Sequence, residues 1–241
     1  NEMHGGQSVP NFDYSMAPGV AKTFRRHYFR ALSQYFQVAR SMSEEDADAF
    51  SQAAKEGVDA EITMGSVDDY GPRFAKFLTG DGSKAVTAEE AAAAHRFAVD
   101  TAMRNTDRAT FQSMEALIHN LNTMNSRAGA QVPFSSLNYG TDTSPEGRMV
   151  MKDLLLATKE GLGNGETPIF PVQIFKVKEG VNYNPGDPNY DLFRLSCRVS
   201  AKRLFPNFSF LDAPYNLQYY KPGDYNTEVA YMGCRTRVMG N

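Results

Sequence analysis

Cysteine is scarce in this sequence: Cys197 and Cys234 are the two among 241 residues. Two thiols cannot build a disulfide framework or a four-ligand zinc site on their own. Tryptophan is absent, and histidine occurs four times, at His4, His27, His95 and His119. None of these has metal-ligand spacing with another or with a cysteine, so no metal site is expected within the chain. No stretch reaches the roughly 20 apolar residues that a membrane span needs. The start, Asn1 to Pro10, is polar and Gly-rich, unlike a signal sequence. A long basic run is also missing and the formal net charge is −3. That excludes a nucleic acid held through phosphate contacts. These absences point to the cytoplasm. The chain begins inside a Gly-rich motif without Met and stops directly after another loop motif, as a piece of a longer protein would.

What is present suffices for a core. With 41% apolar and 22% charged residues, the composition is that of one large domain or two small ones. Val20, Phe24, Tyr28, Leu32 and Phe36 recur at i+4 and predict a helix from about Ala17 to Ser41. Its basic cluster, Lys22 to Arg30, reads as a solvated face beside a buried one, or else as an anion or nucleotide site. Ser43 with Asp46 caps a second, short helix ending near Gly57. Val58 to Lys84 has a weak pattern and reads as connections with one short helical turn. Thr87 with Glu90 is a capping box. It opens a helical stretch to Met124, in one piece or broken near Asn105-Thr106-Asp107. Phe111, Met114, Leu117, Ile118, Leu121 and Met124 form its apolar stripe.

From residue 127 the pattern changes. Val132 to Tyr139 reads as a strand. Ser144-Pro145-Glu146 starts a helix, with Ser as N-cap and Pro at the first helical position, and it ends by Gly161 or Gly163. Ile169 to Val177 is a second strand. Asp187-Pro188 opens a helix reaching about Leu204. A third strand near Val229 to Tyr231 leads into Met232-Gly233-Cys234-Arg235. Strand, helix, strand, helix, strand is the order of a parallel sheet, whose ligands bind outside the carboxyl ends of the strands. Two portions are therefore expected: residues 1–126, mainly helical, and residues 127–241, built from βαβ units. The fold class is α/β.

Several motifs have plain explanations. Gly161-Leu162-Gly163-Asn164-Gly165 follows a helix and precedes a strand, the reverse of a dinucleotide fingerprint, so it reads as a helix C-cap and turn. No G-x-S-x-G elbow is present. His95 and His119 fall on expected helices as partnered structural residues, whereas His4 adjoins Gly5-Gly6 and stands apart. Cys197 shares a helix with Tyr190 and Phe193 and reads as a buried small hydrophobe. Cys234 follows a short strand and Gly233, beside Arg235. It reads either as a catalytic thiol, its pKa lowered by the cation, or as a plain loop cysteine.

A set of segments, in order, resembles the anaerobic (class III, glycyl-radical) ribonucleoside-triphosphate reductases: His4-Gly5-Gly6-Gln7-Ser8; Ala130-Gln131-Val132-Pro133-Phe134-Ser135-Ser136-Leu137-Asn138-Tyr139-Gly140-Thr141; Pro145-Glu146-Gly147-Arg148; Thr167-Pro168-Ile169-Phe170-Pro171; Asn184-Pro185-Gly186-Asp187-Pro188-Asn189-Tyr190-Asp191; Ala201-Lys202-Arg203; and Met232-Gly233-Cys234-Arg235-Thr236. The resemblance implies part of a ten-stranded α/β barrel with a finger loop inside, preceded by a helical N-terminal portion. It places Cys234 at the finger-loop tip. There the thiol loses its hydrogen to a glycyl radical, and the resulting thiyl radical removes the 3′ hydrogen of the substrate ribose.

Further expectations follow from the same resemblance. Met232, two positions before the cysteine, matches the branch that uses formate as reductant. Gln131, Ser135, Ser136, Asn138, Arg235 and His4 are candidate substrate contacts. Gln131, Ser135, Ser136 and Asn138 read equally as groups that satisfy buried backbone. The implied partners are a ribonucleoside triphosphate, nucleotide effectors (ATP and deoxynucleotides), a radical-SAM activating enzyme and a second copy in a homodimer. Effectors have a candidate site on the basic helix Lys22 to Arg40. The radical glycine, the family's upstream active-site cysteine and its C-terminal zinc site lie outside this sequence, so the isolated chain is expected not to turn over. Two other readings are another glycyl-radical enzyme, of the formate-lyase or dehydratase type, and a nucleotide-binding or assembly fragment without catalysis.

Overall fold

The computed structural model describes residues 6–58, 61–80, 86–125, 129–233 and 236–238. It divides into two compact units, Asn1–Ala17 with Thr110–Asn241, and Pro18–Ala109. These bounds differ from a division at residue 126, because the first strand pairs into the sheet and draws the start of the chain into the larger unit. Among the described residues no helix is long and apolar enough to cross a membrane.

The smaller unit is helical. It holds most of α1 (Phe12–Arg40), α2 (Glu44–Gly57), α3 (Val67–Gly80) and the first part of α4 (Ala88–Thr123). The i+4 stripe of α1 is its core: Phe24, Tyr28, Leu32 and Phe36 are fully buried. Ala91, Ala94, Ala98 and Ala102 of α4 are likewise buried, small side chains that let helices approach closely. Ser43 caps α2 as expected, its hydroxyl accepting from Asp46 N. The Thr87 hydroxyl accepts from Glu90 N, 3.1 Å away, and α4 then runs unbroken for 36 residues. α3 corrects the reading of Val58 to Lys84 as connections with one short helical turn. It has 14 residues and buries Tyr70, Phe74 and Leu78 at helical spacing, a stripe interrupted by polar residues and Pro72. Tyr28 OH lies 2.8 Å from His95 Nδ1, and His95 Nε2 lies 3.1 Å from the Val67 carbonyl. The carbonyl only accepts, so Nε2 carries the proton and Nδ1 accepts from Tyr28.

The larger unit is built on a four-stranded, wholly parallel sheet in the order β1 (Gly6–Val9), β2 (Phe134–Tyr139), β3 (Val172–Val177) and β4 (Asn207–Phe210). α5 (Pro145–Glu160) connects β2 to β3, and α6 (Tyr190–Arg203) connects β3 to β4. Ser144 caps α5 as its sequence predicts, accepting from Gly147 N. α6 begins after Asn189 rather than at Asp187. Two strands were not legible. β1 lies in what reads as a polar loop, and β4 follows Pro206; each has four residues. The Val229 to Tyr231 strand is corrected too. Ala230–Met232, here β5, does not join the parallel sheet but pairs antiparallel with β6 (Thr236–Val238).

The sheet has two unlike faces, since side chains alternate along each strand. On one, Tyr139, Phe175 and Phe208 make ring contacts with one another or with Phe193 of α6. On the other, Val172 and Ile174 pack with Phe170, Leu121, Val132, Phe205 and Tyr231. Ser8, Ser136 and Asn138 share that second face, being in register with Val172 and Ile174. Cys197 is exposed, which corrects the expectation of burial. The buried stripe of α6 is Leu192, Ser196, Val199 and Arg203, and Cys197 falls beside it.

Candidate functional site

Charged groups converge where β2 and β3 end. Asp13, in the first turn of α1, accepts at one carboxylate oxygen from Gly140 N (2.8 Å), Thr141 N (3.1 Å) and Asp142 N (3.1 Å). Gly140 has φ +143°, and a Cβ there would stand 2.5 Å from the Lys176 carbonyl, so the turn needs glycine. Lys176 reaches Asn11 Oδ1 at 2.6 Å and Glu228 Oε2 at 3.3 Å. Thr141 donates to the same Glu228 oxygen at 2.8 Å. Lys178 holds the other, Oε1, at 3.1 Å and donates to Tyr220 OH at 2.7 Å.

Burial dominates the electrostatics here. It raises the Asp13 carboxyl, against the backbone N–H groups of Gly140, Asp142 and Tyr14 and the charge on Lys176, which favour the anion. It lowers the Lys176 ammonium, opposed by Glu228 and Asp13. Burial also disfavours the Lys178 ammonium, but Tyr220 and Glu228 outweigh it and leave that group raised.

Glu228 starts a segment that crosses the second face of the sheet. Asn138, wholly buried, accepts from Tyr231 N at Oδ1 (2.8 Å) and donates from Nδ2 to the Tyr231 carbonyl (2.9 Å). Ser8 donates to that carbonyl at 2.8 Å. The Ser136 hydroxyl accepts from Gly233 N at 3.1 Å. Thr141, Asn138 and Ser136 thus meet Glu228, Tyr231 and Gly233 in turn. Each step back along β2 matches an equal step forward along the crossing segment. The segment runs antiparallel to β2 and stays attached by side chains to the level of Ser136, well inside the sheet rather than at its carboxyl edge.

The expected site residues separate accordingly. Ser136 and Asn138 are together, both engaged with the crossing segment's backbone. Met232 is on β5, 45% exposed, opposite Thr236. Ser135 points to the other face, where its buried hydroxyl has no hydrogen-bond partner among the described residues. Gln131 is exposed ahead of β2. His4, Cys234 and Arg235 lie outside the described residues. Among the described residues, no group of three or more His, Cys, Asp or Glu could hold a metal ion.

Sequence reasoning missed Ser8, Asn11, Asp13, Lys176 and Glu228. The one available signal was Lys176, a lysine inside the otherwise uncharged strand Val172–Val177. The remaining motifs are structural. Arg148 grips the 184–191 run through the Pro188 carbonyl, Asn189 Oδ1 (2.8 Å) and Asp191 Oδ2 (2.8 Å). Arg203 closes the end of α5 on the carbonyls of Lys159 (2.9 Å), Glu160 (2.7 Å) and Gly165 (2.8 Å).

The family described as anaerobic ribonucleoside-triphosphate reductase matches residues 1–241. The chain belongs to the anaerobic ribonucleoside-triphosphate reductase family. Among its relatives, the anaerobic ribonucleoside-triphosphate reductase of Haemophilus influenzae is 35% identical over 127 residues, 52% of this chain and 16% of the relative. That of Escherichia coli is 34% identical over 127 residues, again 52% and 16%. That of phage T4 is 34% identical over 140 residues, 58% and 22%. The chain thus corresponds to less than a quarter of the length of these reductases. As a reductase-family segment, it carries one four-stranded parallel sheet with the strand preceding Cys234 anchored across its face.

Proposed function

We propose that the full-length protein reduces ribonucleoside 5′-triphosphates to 2′-deoxyribonucleoside triphosphates, supplying DNA precursors under anoxia, and that this chain is the portion carrying the reacting thiol, Cys234. The family match over the whole chain supports the reaction class. The observation that carries the assignment of Cys234 is the anchored segment from Glu228 to Gly233, which leads directly into it. A sulfur that abstracts hydrogen as a thiyl radical must be held within contact distance of the sugar and away from water.

In this reading Cys234 gives its hydrogen atom to a glycyl radical on a segment outside the chain. The Cys234 thiyl radical takes the ribose 3′ hydrogen, and the 2′ hydroxyl leaves as water. Formate, oxidised to carbon dioxide, supplies the two electrons; Met232, two positions before Cys234, is the residue that favours this reductant. S–H and ribose C–H bonds have similar homolytic strength, so the transfer is nearly reversible and Arg235 is not needed to make a thiolate.

The architecture fits a larger enclosure. The sheet is all parallel in sequential order, α5 and α6 pack against each other, and the crossing segment lies on the face that carries Val172 and Ile174. We read this as part of a ten-stranded barrel with β5 and β6 as its finger. Nucleotide effectors, a radical-SAM activating enzyme and a homodimer belong to the same proposal, with the isolated chain inactive. The test is an anoxic assay of the full-length protein with activating enzyme, ribonucleoside triphosphates and carbon-labelled formate. Deoxynucleotide and labelled carbon dioxide should form in equal amounts. Deoxynucleotide made without formate would overturn the reductant, and none at all would overturn the reaction.

A further inference from the structure

We infer that Asn138 is a positioning residue: its side-chain amide takes the place of a neighbouring strand and fixes the height at which the segment ending in Cys234 crosses the sheet. The inference rests on the proposed role of Cys234 for its catalytic meaning, but its structural content stands on the geometry alone. β5 lies over a sheet face and, among the described residues, pairs with no strand other than β6. Both polar groups of Tyr231 would be left without a backbone partner there, a costly outcome for partly buried main chain. Asn138 satisfies both: Oδ1 accepts from Tyr231 N at 2.8 Å and Nδ2 donates to the Tyr231 carbonyl at 2.9 Å.

The amide's orientation is fixed by this network. Turning it over would set NH₂ against a backbone N–H and oxygen against a carbonyl. The second Nδ2 hydrogen faces Ser8 Oγ and the Val9 carbonyl, both at 3.3 Å, which ties the same amide to β1. The Tyr231 carbonyl accepts from Ser8 as well, at 2.8 Å, so both of its lone pairs are engaged. No other side chain meets these demands from this position. Asp accepts but does not donate, Ser and Thr are too short to span both groups, and Gln adds a methylene that displaces the amide. Asn138 is wholly buried, and both its amide hydrogens and its oxygen are engaged by the chain, so it holds the chain rather than a ligand. Ser136, accepting from Gly233 N at 3.1 Å, continues the attachment to the last described residue before Cys234.

Two readouts on the full-length protein decide this. One is the rate of Cys234 alkylation relative to Cys197, followed peptide by peptide. Cys197 is exposed on α6 and serves as the internal reference. In Asn138→Ala the ratio should rise about tenfold, the factor that one to two net hydrogen bonds represent. Asn138→Asp keeps the shape and the Tyr231 N–H bond, and should raise it as well. Ser8→Ala removes one of two donors to the Tyr231 carbonyl and should raise it by a smaller factor, so a folding failure of Asn138→Ala leaves two variants to judge. An unchanged ratio in all of them overturns the inference. The other readout is steady-state kinetics. Positioning predicts that kcat falls at least tenfold, with KM for the nucleotide within about twofold. A raised KM with kcat intact would make Asn138 a substrate ligand and overturn the inference. Should the unsubstituted protein reduce no nucleotide, the proposed function fails while the alkylation ratio still decides the role of Asn138.

Discussion

Lys176 Nζ stands 3.3 Å from Glu228 Oε2, with the two side chains 1% and 3% exposed. The pair fastens the start of the crossing segment to β3. Breaking a buried pair from one side costs up to about 3–5 kcal/mol; here Glu228 keeps Lys178 and Thr141, and Lys176 keeps Asn11, when the other partner is removed. Glu228→Gln and Lys176→Met should each destabilise the protein by that order. The double variant should lose less than their sum in urea unfolding, because each single variant already severs the same contact.

His95 gives the helical unit an acid sensitivity. Burial, ahead of the charge on Arg96, holds its imidazole below the ordinary 6.5, against the Val67 carbonyl and Asp68. Below pH 6.5 the unfolded chain takes up a proton that the folded imidazole refuses. The stability from neutral His95 is therefore complete above that pH and lost as the pH falls through the lower folded value. Melting temperature should drop between pH 7 and 5, and the slope should lessen in His95→Gln. It should not vanish, because His27 is lowered in the same direction by burial, Arg26 and Arg30. Tyr28→Phe removes the donor to Nδ1 and should cost about 1 kcal/mol at neutral pH.

Gly140→Ala should be among the most damaging small substitutions. The added Cβ meets the Lys176 carbonyl at 2.5 Å in a backbone conformation with φ +143°. A loss above about 2 kcal/mol is expected from strain and displaced hydrogen bonds. Because the turn carries Thr141, proteolysis within 228–233 should accelerate in the same variant.

Arg203→Lys tests the end of α5. The guanidinium serves three carbonyls and lies 3.3 Å from Thr167 Oγ1, a fan that a single ammonium cannot reproduce. A loss of about 1–3 kcal/mol should register in thermal unfolding, the range for leaving buried acceptors without donors.

Local chemistry was the legible part of this fold. Ser43, Thr87 and Ser144 each cap a helix as their positions suggest, since a cap is decided within four residues. β1 and β4 were not legible because a four-residue strand such as Gly6–Val9 is defined by its partner, here 128 positions away. The same distance concealed the site. Ser136 and Asn138 stood out as polar residues in a strand, but their partners Tyr231 and Gly233 follow from β5 lying over the sheet, which periodicity cannot express. Cys197 was misplaced by a rotation of one position on α6, enough to carry a side chain from the buried stripe to solvent.

The central claim is that Cys234 performs the hydrogen transfer. Its most direct test is deoxynucleotide formation by the full-length protein carrying Cys234→Ala, activated under anoxia and assayed with formate beside the unsubstituted protein. The account predicts an ordinary glycyl-radical signal in the electron paramagnetic resonance spectrum and no deoxynucleotide. Turnover persisting in that variant would contradict it.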